Sequence, residues 1–279
     1  MTHVLDYSQW TPGAVGMFRG VPSEVYHASP GVSNSMLGHM DPPSRLPVYL
    51  TEKHEPDEWA ILGTLIHQRI LEPERPLPLI AVQPETYGPD SKKWTYQAKE
   101  CKAWREAQEA QGLIVLTPDQ YRTLIGCITS VRQSSLACEA IRYAETELSL
   151  WWELDGILTK RRLDCVPPGN ALLDLKSCAD GKASVKEWKW EIEHRGYHRQ
   201  AAFYLDGYNA WARAYGLPEK TVWLWVAVEK AEPYAVGHHQ ASGQTLERGR
   251  AQYQALMAEY RDCLAANKWP GYPEEWTVI

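Results

Sequence analysis

At 279 residues, 44% hydrophobic and 23% charged, the chain can bury a sizeable core and has the balance of an ordinary soluble globular protein. No apolar run reaches bilayer length, and the first ten residues have neither a basic start nor an apolar stretch, so neither a membrane span nor a signal peptide is expected. The net charge of -6 argues mildly against simple electrostatic DNA binding, and six scattered cysteines without a CxxC suit a reducing cytoplasm and exclude a zinc ribbon or an iron–sulfur cluster.

In chain order, the first 30 residues are rich in Gly and Pro and read as an irregular surface segment. Ser33-Asn34-Ser35 before Met36-Leu37 is a helix N-cap pattern. Trp59, Leu62, Ile66 and Ile70 recur at helical spacing and predict a helix from about Asp57 to Glu72, ended by Pro73. A charged helix is expected around Ala98 to Ala110. Thr117-Pro118-Asp119-Gln120 is a capping box opening a helix to about Arg132, with a shorter one reaching Tyr143. The period then changes to two. Leu148, Leu150, Trp152 and Leu154 alternate with Ser149, Trp151 and Glu153, Asp155-Gly156 makes a hairpin turn, and Ile157 to Val166 returns. Ala171 to Cys178 is a third strand after Pro167-Pro168-Gly169-Asn170. A helix from Tyr197 to Tyr215, a strand from Thr221 to Glu229 and a final helix from Leu246 to Ala266 complete the pattern. The fold class is α/β, a small central mixed sheet flanked by helices. One domain, 1–279, is expected, with an irregular segment 1–30 and a helical C-terminal segment 242–279. Most of the 13 Trp are assigned to core and interface packing.

Asp174 and Lys176 sit two apart on one strand, so both side chains share a face while Leu173 and Leu175 point into the core. Alone, D-x-K more often marks a salt bridge at a sheet margin. Asp164 changes the weighing. It ends the preceding strand, and antiparallel pairing brings it beside Asp174. Two carboxylates that close repel unless a divalent cation lies between them, and such oxygen donors suit Mg²⁺ or Mn²⁺. A lysine beside a metal-bound water can orient it and stabilise developing negative charge. The clusters Lys160-Arg161-Arg162 and Lys182 through Arg199 read on their own as solvated faces.

Asp164 followed by Asp174-Leu175-Lys176 resembles the signature of the PD-(D/E)xK nuclease superfamily, and the fuller resemblance is to its exonuclease VIII (RecE-type) branch, related to lambda-type exonuclease and RecB-type nuclease domains. Tyr26 to Ser35, Gly63-Thr64-Leu65-Ile66-His67, Arg162-Leu163-Asp164 and Gln200-Ala201-Ala202-Phe203-Tyr204 match motifs of that branch in order, over roughly residues 20 to 210. The resemblance implies that His67 joins Asp164, Asp174 and the Leu175 carbonyl as metal ligands, and that Gln200 and Tyr204 face the cleft. It also implies that Glu147 can help hold metal. The Asp at position 174 stands where relatives often carry Glu.

The reading is therefore a Mg²⁺-dependent exonuclease, with Mn²⁺ able to substitute. It digests linear double-stranded DNA, 5′ to 3′, and leaves 3′ single strands for recombination in the cytoplasm. Asp164, Asp174, Lys176, Gln200 and Tyr204 form the catalytic set, and Ser33 and Ser35 are candidates for a 5′-phosphate at a helix N-terminus. A single-strand annealing protein is the partner the resemblance implies, and a ring-shaped homo-oligomer is expected to retain DNA. The rivals are another nuclease of the superfamily (an endonuclease or resolvase), an inactive DNA-binding module on the same fold, and a carbohydrate-active protein, which would need two carboxyls flanking a sugar.

Overall fold

The computed structural model describes residues 3–52, 56–76 and 78–276. In chain order its elements are β1 (Leu5–Asp6), β2 (Gly16–Arg19), α1 (Ser23–Ala28), α2 (Asn34–Gly38), α3 (Arg45–Thr51), α4 (Glu58–Leu71), β3 (Ile80–Val82), β4 (Thr86–Tyr87), β5 (Lys92–Lys93), α5 (Lys99–Glu109), β6 (Ile114–Leu116), α6 (Pro118–Gln133) and α7 (Ser135–Ile141). Then follow β7 (Glu145–Leu154), β8 (Ile157–Val166), β9 (Ala171–Cys178), α8 (Val185–His194), α9 (Tyr197–Ala214), β10 (Val222–Glu229), β11 (Val236–Gln240) and α10 (Gly243–Ala266).

A seven-stranded mixed sheet, ordered β1-β2-β7-β8-β9-β10-β11, carries the fold. Strands β7, β8 and β9 run antiparallel in succession, and β10 returns parallel to β9 through the helical crossover α8–α9. The hairpin between β7 and β8 closes as its sequence dictates. Asp155 and Gly156 both take left-handed backbone, with φ of 51° and 78°, which a tight two-residue hairpin turn requires. Thr117 caps α6 by accepting the Gln120 N–H, while the Gln120 side chain accepts the Thr117 N–H, so the capping box forms as read.

The sheet is covered on both faces. One face packs Leu172, Trp223 and Trp225 against Ala201, Phe203 and Leu205 of α9 and Tyr253 and Met257 of α10. The other packs Leu173, Leu175, Val226 and Val228 against Leu62 and Ile66 of α4 and Leu124 and Ile128 of α6. Burial on both faces is why β9 and β10 read as near-continuous apolar runs, broken in β9 by the charged pair Asp174 and Lys176.

Several expectations are corrected. Residues 1–30 do not wander over the surface; Met1 and Thr2 lie outside the described residues, but β2 pairs antiparallel with β7, and Met17 and Phe18 are fully buried. A four-residue strand is too short to display an alternating period, and the flanking Gly and Pro obscured it. Segment 242–279 is helical only to Ala266, and residues 277–279 lie outside the described set. Trp59, counted on the buried stripe of α4, is 54% exposed. Both α8 and β11 went unread, because charged residues crowd α8 and β11 is an edge strand with two histidines.

The basic triplet Lys160-Arg161-Arg162 is not a solvated face. The Lys160 ammonium donates to the carbonyls of Tyr26, His27 and Ser29 at 2.9, 3.0 and 2.6 Å, capping the end of α1. Arg161 is 0% exposed. Arg162 donates to the Val21 carbonyl at 2.7 Å and to Ser149 Oγ at 3.1 Å. The triplet thus fastens the N-terminal segment onto the sheet.

Candidate metal and catalytic site

The site forms where the β8–β9 ladder opens. These strands share the single registered pair Cys165↔Leu173, and the next pair outward sets Asp164 opposite Asp174. There the strand carbonyl is replaced by a side chain, because the Leu175 N–H donates to Asp164 Oδ2 at 2.9 Å. A ladder hydrogen bond is thus made by a functional group, which fixes that carboxylate rigidly at the sheet margin.

Glu147 completes the acidic cluster from the other side. In the β7–β8 register, Thr146 faces Cys165 and Leu148 faces Leu163, so Glu147 falls opposite Asp164 where pairing is interrupted. Its φ of 52° is left-handed, a conformation costing a non-glycine residue about 1–3 kcal/mol and typical of positions held for function. His67 arrives from α4, and its Nδ1 lies 3.7 Å from Asp164 Oδ2. Gly63, one turn earlier, lets α4 approach β9; a Cβ there would stand 3.4 Å from Ser177 Oγ. Donor atoms of His67, Glu147 and Asp164 all lie within 4.8 Å of one another.

Asp174 plays a different geometric part from the one expected. Its Oδ2 is 2.6 Å from Lys176 Nζ, and its Oδ1 accepts from Gln200 Nε2 at 3.4 Å. The Lys176 contact is a short charge-assisted pair that engages Oδ2 from one side. The compact trio is therefore His67, Glu147 and Asp164, with Asp174 alongside it and its lone pairs incompletely used. An imidazole and two clustered carboxylates, with a third carboxylate alongside, are a donor set that fits a hard divalent cation.

The electrostatics agree with that fit. Burial, reinforced by Asp164, pushes the Glu147 carboxyl up to about 8. Burial also raises Asp174 to about 6, against the pull of Lys176. Asp164 is raised by burial too. His67 is lowered to about 4 by burial and then by the Lys176 charge, so it is neutral and able to ligate at ordinary pH. Burial opposes the charge on Lys176, but Asp174 and Asp164 outweigh it and hold the ammonium above its usual range. Lys176 is accordingly a fixed cation, not a base. Its ammonium also lies 5.1 Å from the centre of the Tyr197 ring.

Gln200 and Tyr204, one turn apart on α9, both face this site. Gln200 reaches Asp174, and Tyr204 lies flat against the Arg161 guanidinium, 3.9 Å from ring centre to carbon. Ser33 and Ser35 behave less as expected. Ser33 Oγ is already occupied, accepting the Met36 N–H as the cap of the five-residue α2, and Ser35 is exposed. Sequence reasoning missed Arg161 as part of the site, because a cation inside a basic triplet reads as surface. Two histidines outside this site have structural contacts: His198 Nδ1 meets the Ile192 carbonyl and His239 Nε2 the Ala183 carbonyl.

The family model of a PDDEXK-like domain of unknown function (DUF3799) matches residues 54–279. The chain belongs to this PDDEXK-like family. Membership agrees with the superfamily expected from Asp164 and Asp174-Leu175-Lys176, and the mixed sheet flanked by helices fits a PDDEXK-like domain. Among solved structures, a candidate exonuclease from Eubacterium rectale is similar over 91% of this chain and 96% of its own, with 13% identity and a TM-score of 0.57. At that identity the likeness is one of fold. A second solved structure, SSO0001, is 14% identical over 87% of this chain and 96% of its own, but its TM-score of 0.26 carries no argument. No curated protein matches the sequence. Among the described residues, no helix of this PDDEXK-like chain is long and apolar enough to cross a membrane.

Proposed function

We propose that this PDDEXK-like protein is a metal-dependent deoxyribonuclease that hydrolyses phosphodiester bonds at the Asp164–Asp174–Lys176 centre. The observation that carries the reading is the buried Asp174 paired with the part-buried Lys176 beside Asp164, next to the registered pair Cys165↔Leu173 of β8 and β9. His67, Glu147 and Asp164 would hold the cation, with Asp174 Oδ2 and the Leu175 carbonyl as further donors. Mg²⁺ is the proposed ion, with Mn²⁺ able to replace it. When bound, it supplies Lewis-acid polarisation of the phosphodiester.

The remaining chemistry belongs to the chain. Lys176, kept cationic by two carboxylates, orients the attacking water and stabilises charge developing on the phosphoryl oxygens. Gln200 fixes the Asp174 carboxylate through Oδ1, leaving Oδ2 for the ion and for Lys176. Tyr204 holds the α9 side of the site by stacking on Arg161.

The finer reading follows the exonuclease VIII branch: digestion of linear duplex from the 5′ end, 3′ single strands for recombination in the cytoplasm, and an annealing protein as partner. Ser33 and Ser35 belong to this reading as 5′-phosphate contacts, and a ring-shaped homo-oligomer as its assembly. The test is incubation with linear duplex, nicked circle and closed circle, in Mg²⁺ and in EDTA. Loss of linear DNA alone, only with metal, is the expected result. Cleavage of closed circles turns the reading to an endonuclease or resolvase, and full activity in EDTA overturns the metal mechanism.

A further inference from the structure

Three consecutive cations lie on β8, and their surroundings differ sharply. Lys160 and Arg162 donate to backbone carbonyls and hydroxyls. Arg161 is 0% exposed, yet none of its three guanidinium nitrogens has a hydrogen-bond partner among the described residues. An unpaired buried cation is among the most costly groups a fold can hold, so its retention calls for a compensating interaction. Two are present. The guanidinium carbon lies over the Tyr204 ring, 3.9 Å from its centre, and the carboxylates Asp164 and Asp174 add a favourable field that opposes the cost of burial.

We propose that Arg161 is a positioning residue, a built-in counter-cation behind the metal site that stands in for part of the metal's charge and limits how tightly the ion is held. The inference rests on the metal-site reading above and goes beyond it. Because Arg161 donates no hydrogen bond to either carboxylate, it acts on them through its field alone. That field stabilises the ionised carboxylates and repels an incoming dication at the same time.

The sign of the effect separates this role from packing. Removing the charge while keeping the volume, as in Arg161→Met, should tighten Mn²⁺ binding by about fivefold or more at an interior-surface dielectric. Arg161→Lys, which keeps the charge, should leave Mn²⁺ affinity close to that of the unaltered chain. Both are read by calorimetric Mn²⁺ titration and by the Mn²⁺-induced rise in melting temperature, without DNA and without turnover. Arg161→Gln serves as a second neutral variant. Unchanged or weaker Mn²⁺ binding in the neutral variants overturns the inference while leaving the metal site standing. Absence of Mn²⁺ binding by the unaltered chain overturns both. Should neither neutral variant fold even at millimolar Mn²⁺, the inference is again overturned, because a site that has lost its counter-cation is one that the ion should rescue.

Discussion

The carboxylates of the site set a pH dependence whose direction can be worked out. Glu147 is raised to about 8 and Asp174 to about 6 in the folded protein, so between their unfolded and folded values the native state holds more protons than the unfolded chain. Stability from such groups is present at low pH and lost as pH rises through the folded value. His67, lowered to about 4, acts oppositely, but its contribution is complete above its unfolded value of 6.5. Between pH 6.5 and 8, above the Asp174 value, Glu147 is the one of these three groups that still titrates. The metal-free protein should melt at progressively lower temperature across that window, and Glu147→Gln should flatten the decline. Melting curves in EDTA at half-unit pH steps measure it; a flat profile in the unaltered chain would contradict the assigned burial. A second expectation separates the charged pair. Asp174→Ala should lose both metal binding and turnover, whereas Lys176→Ala should keep metal binding while cutting the rate severely, since Lys176 acts on the transition state. Near-normal turnover in Lys176→Ala, measured beside a metal titration, would remove its proposed role. Asp174, Lys176 and Asp164 were legible because strand period and a four-residue turn fix their relation. The left-handed backbone of Glu147 and the orphaned Arg161 were not, since neither leaves a mark in residue spacing.

Helices and strands were readable wherever a period ran long enough to repeat. The hairpin β7–β8, the capped α6 and the apolar β9 and β10 emerged within a few residues of their observed bounds, because turn chemistry and burial speak through local sequence. The edge strands β1 and β11 and the short β2 inside them did not, since two to five residues hold no period, and β2 pairs with the distant β7. The helix pair α9–α10 carries a contact that the sequence also hides. Gly249 of α10 lies against the first turn of α9 so closely that a Cβ would stand 2.0 Å from the His198 carbonyl oxygen. Gln200, which touches Asp174, is two residues further along that turn. Gly249→Ala should therefore force the helices apart, costing about 1–3 kcal/mol as overpacking does. The melting temperature should drop by several degrees, with turnover falling further than stability alone explains because Gln200 moves. Thermal melts paired with cleavage rates below the transition test this. Unchanged values for both would mean that α10 yields without disturbing α9.

Over the whole molecule, much of the cationic charge is engaged within the chain itself, although Lys186 and Lys189 of α8 stay exposed. The chain carries a net charge of -6. Lys160, Arg161 and Arg162, which read in the sequence as a solvated basic face, are turned inward to the N-terminal segment and to Tyr204. In the second basic cluster, Lys182 pairs with Glu187 at 2.7 Å, Arg195 with Glu191, and Arg199 donates to Asn34. Non-specific affinity for duplex DNA comes from phosphates neutralised and counterions released, and its salt dependence counts them. A single subunit should therefore bind duplex weakly and with a shallow dependence on salt, about two to four phosphates by the slope of affinity against salt concentration. On the proposed exonuclease reading, retention of a linear end would come from enclosure, and that is the ground for proposing a ring of three or four subunits. Light scattering at micromolar concentration, with and without DNA, and anisotropy titrations between about 50 and 200 mM salt test the two halves together. A trimer or tetramer with a shallow slope is the expected pairing. A monomer with a steep slope would place the duplex on an open cationic face instead and would favour an endonuclease.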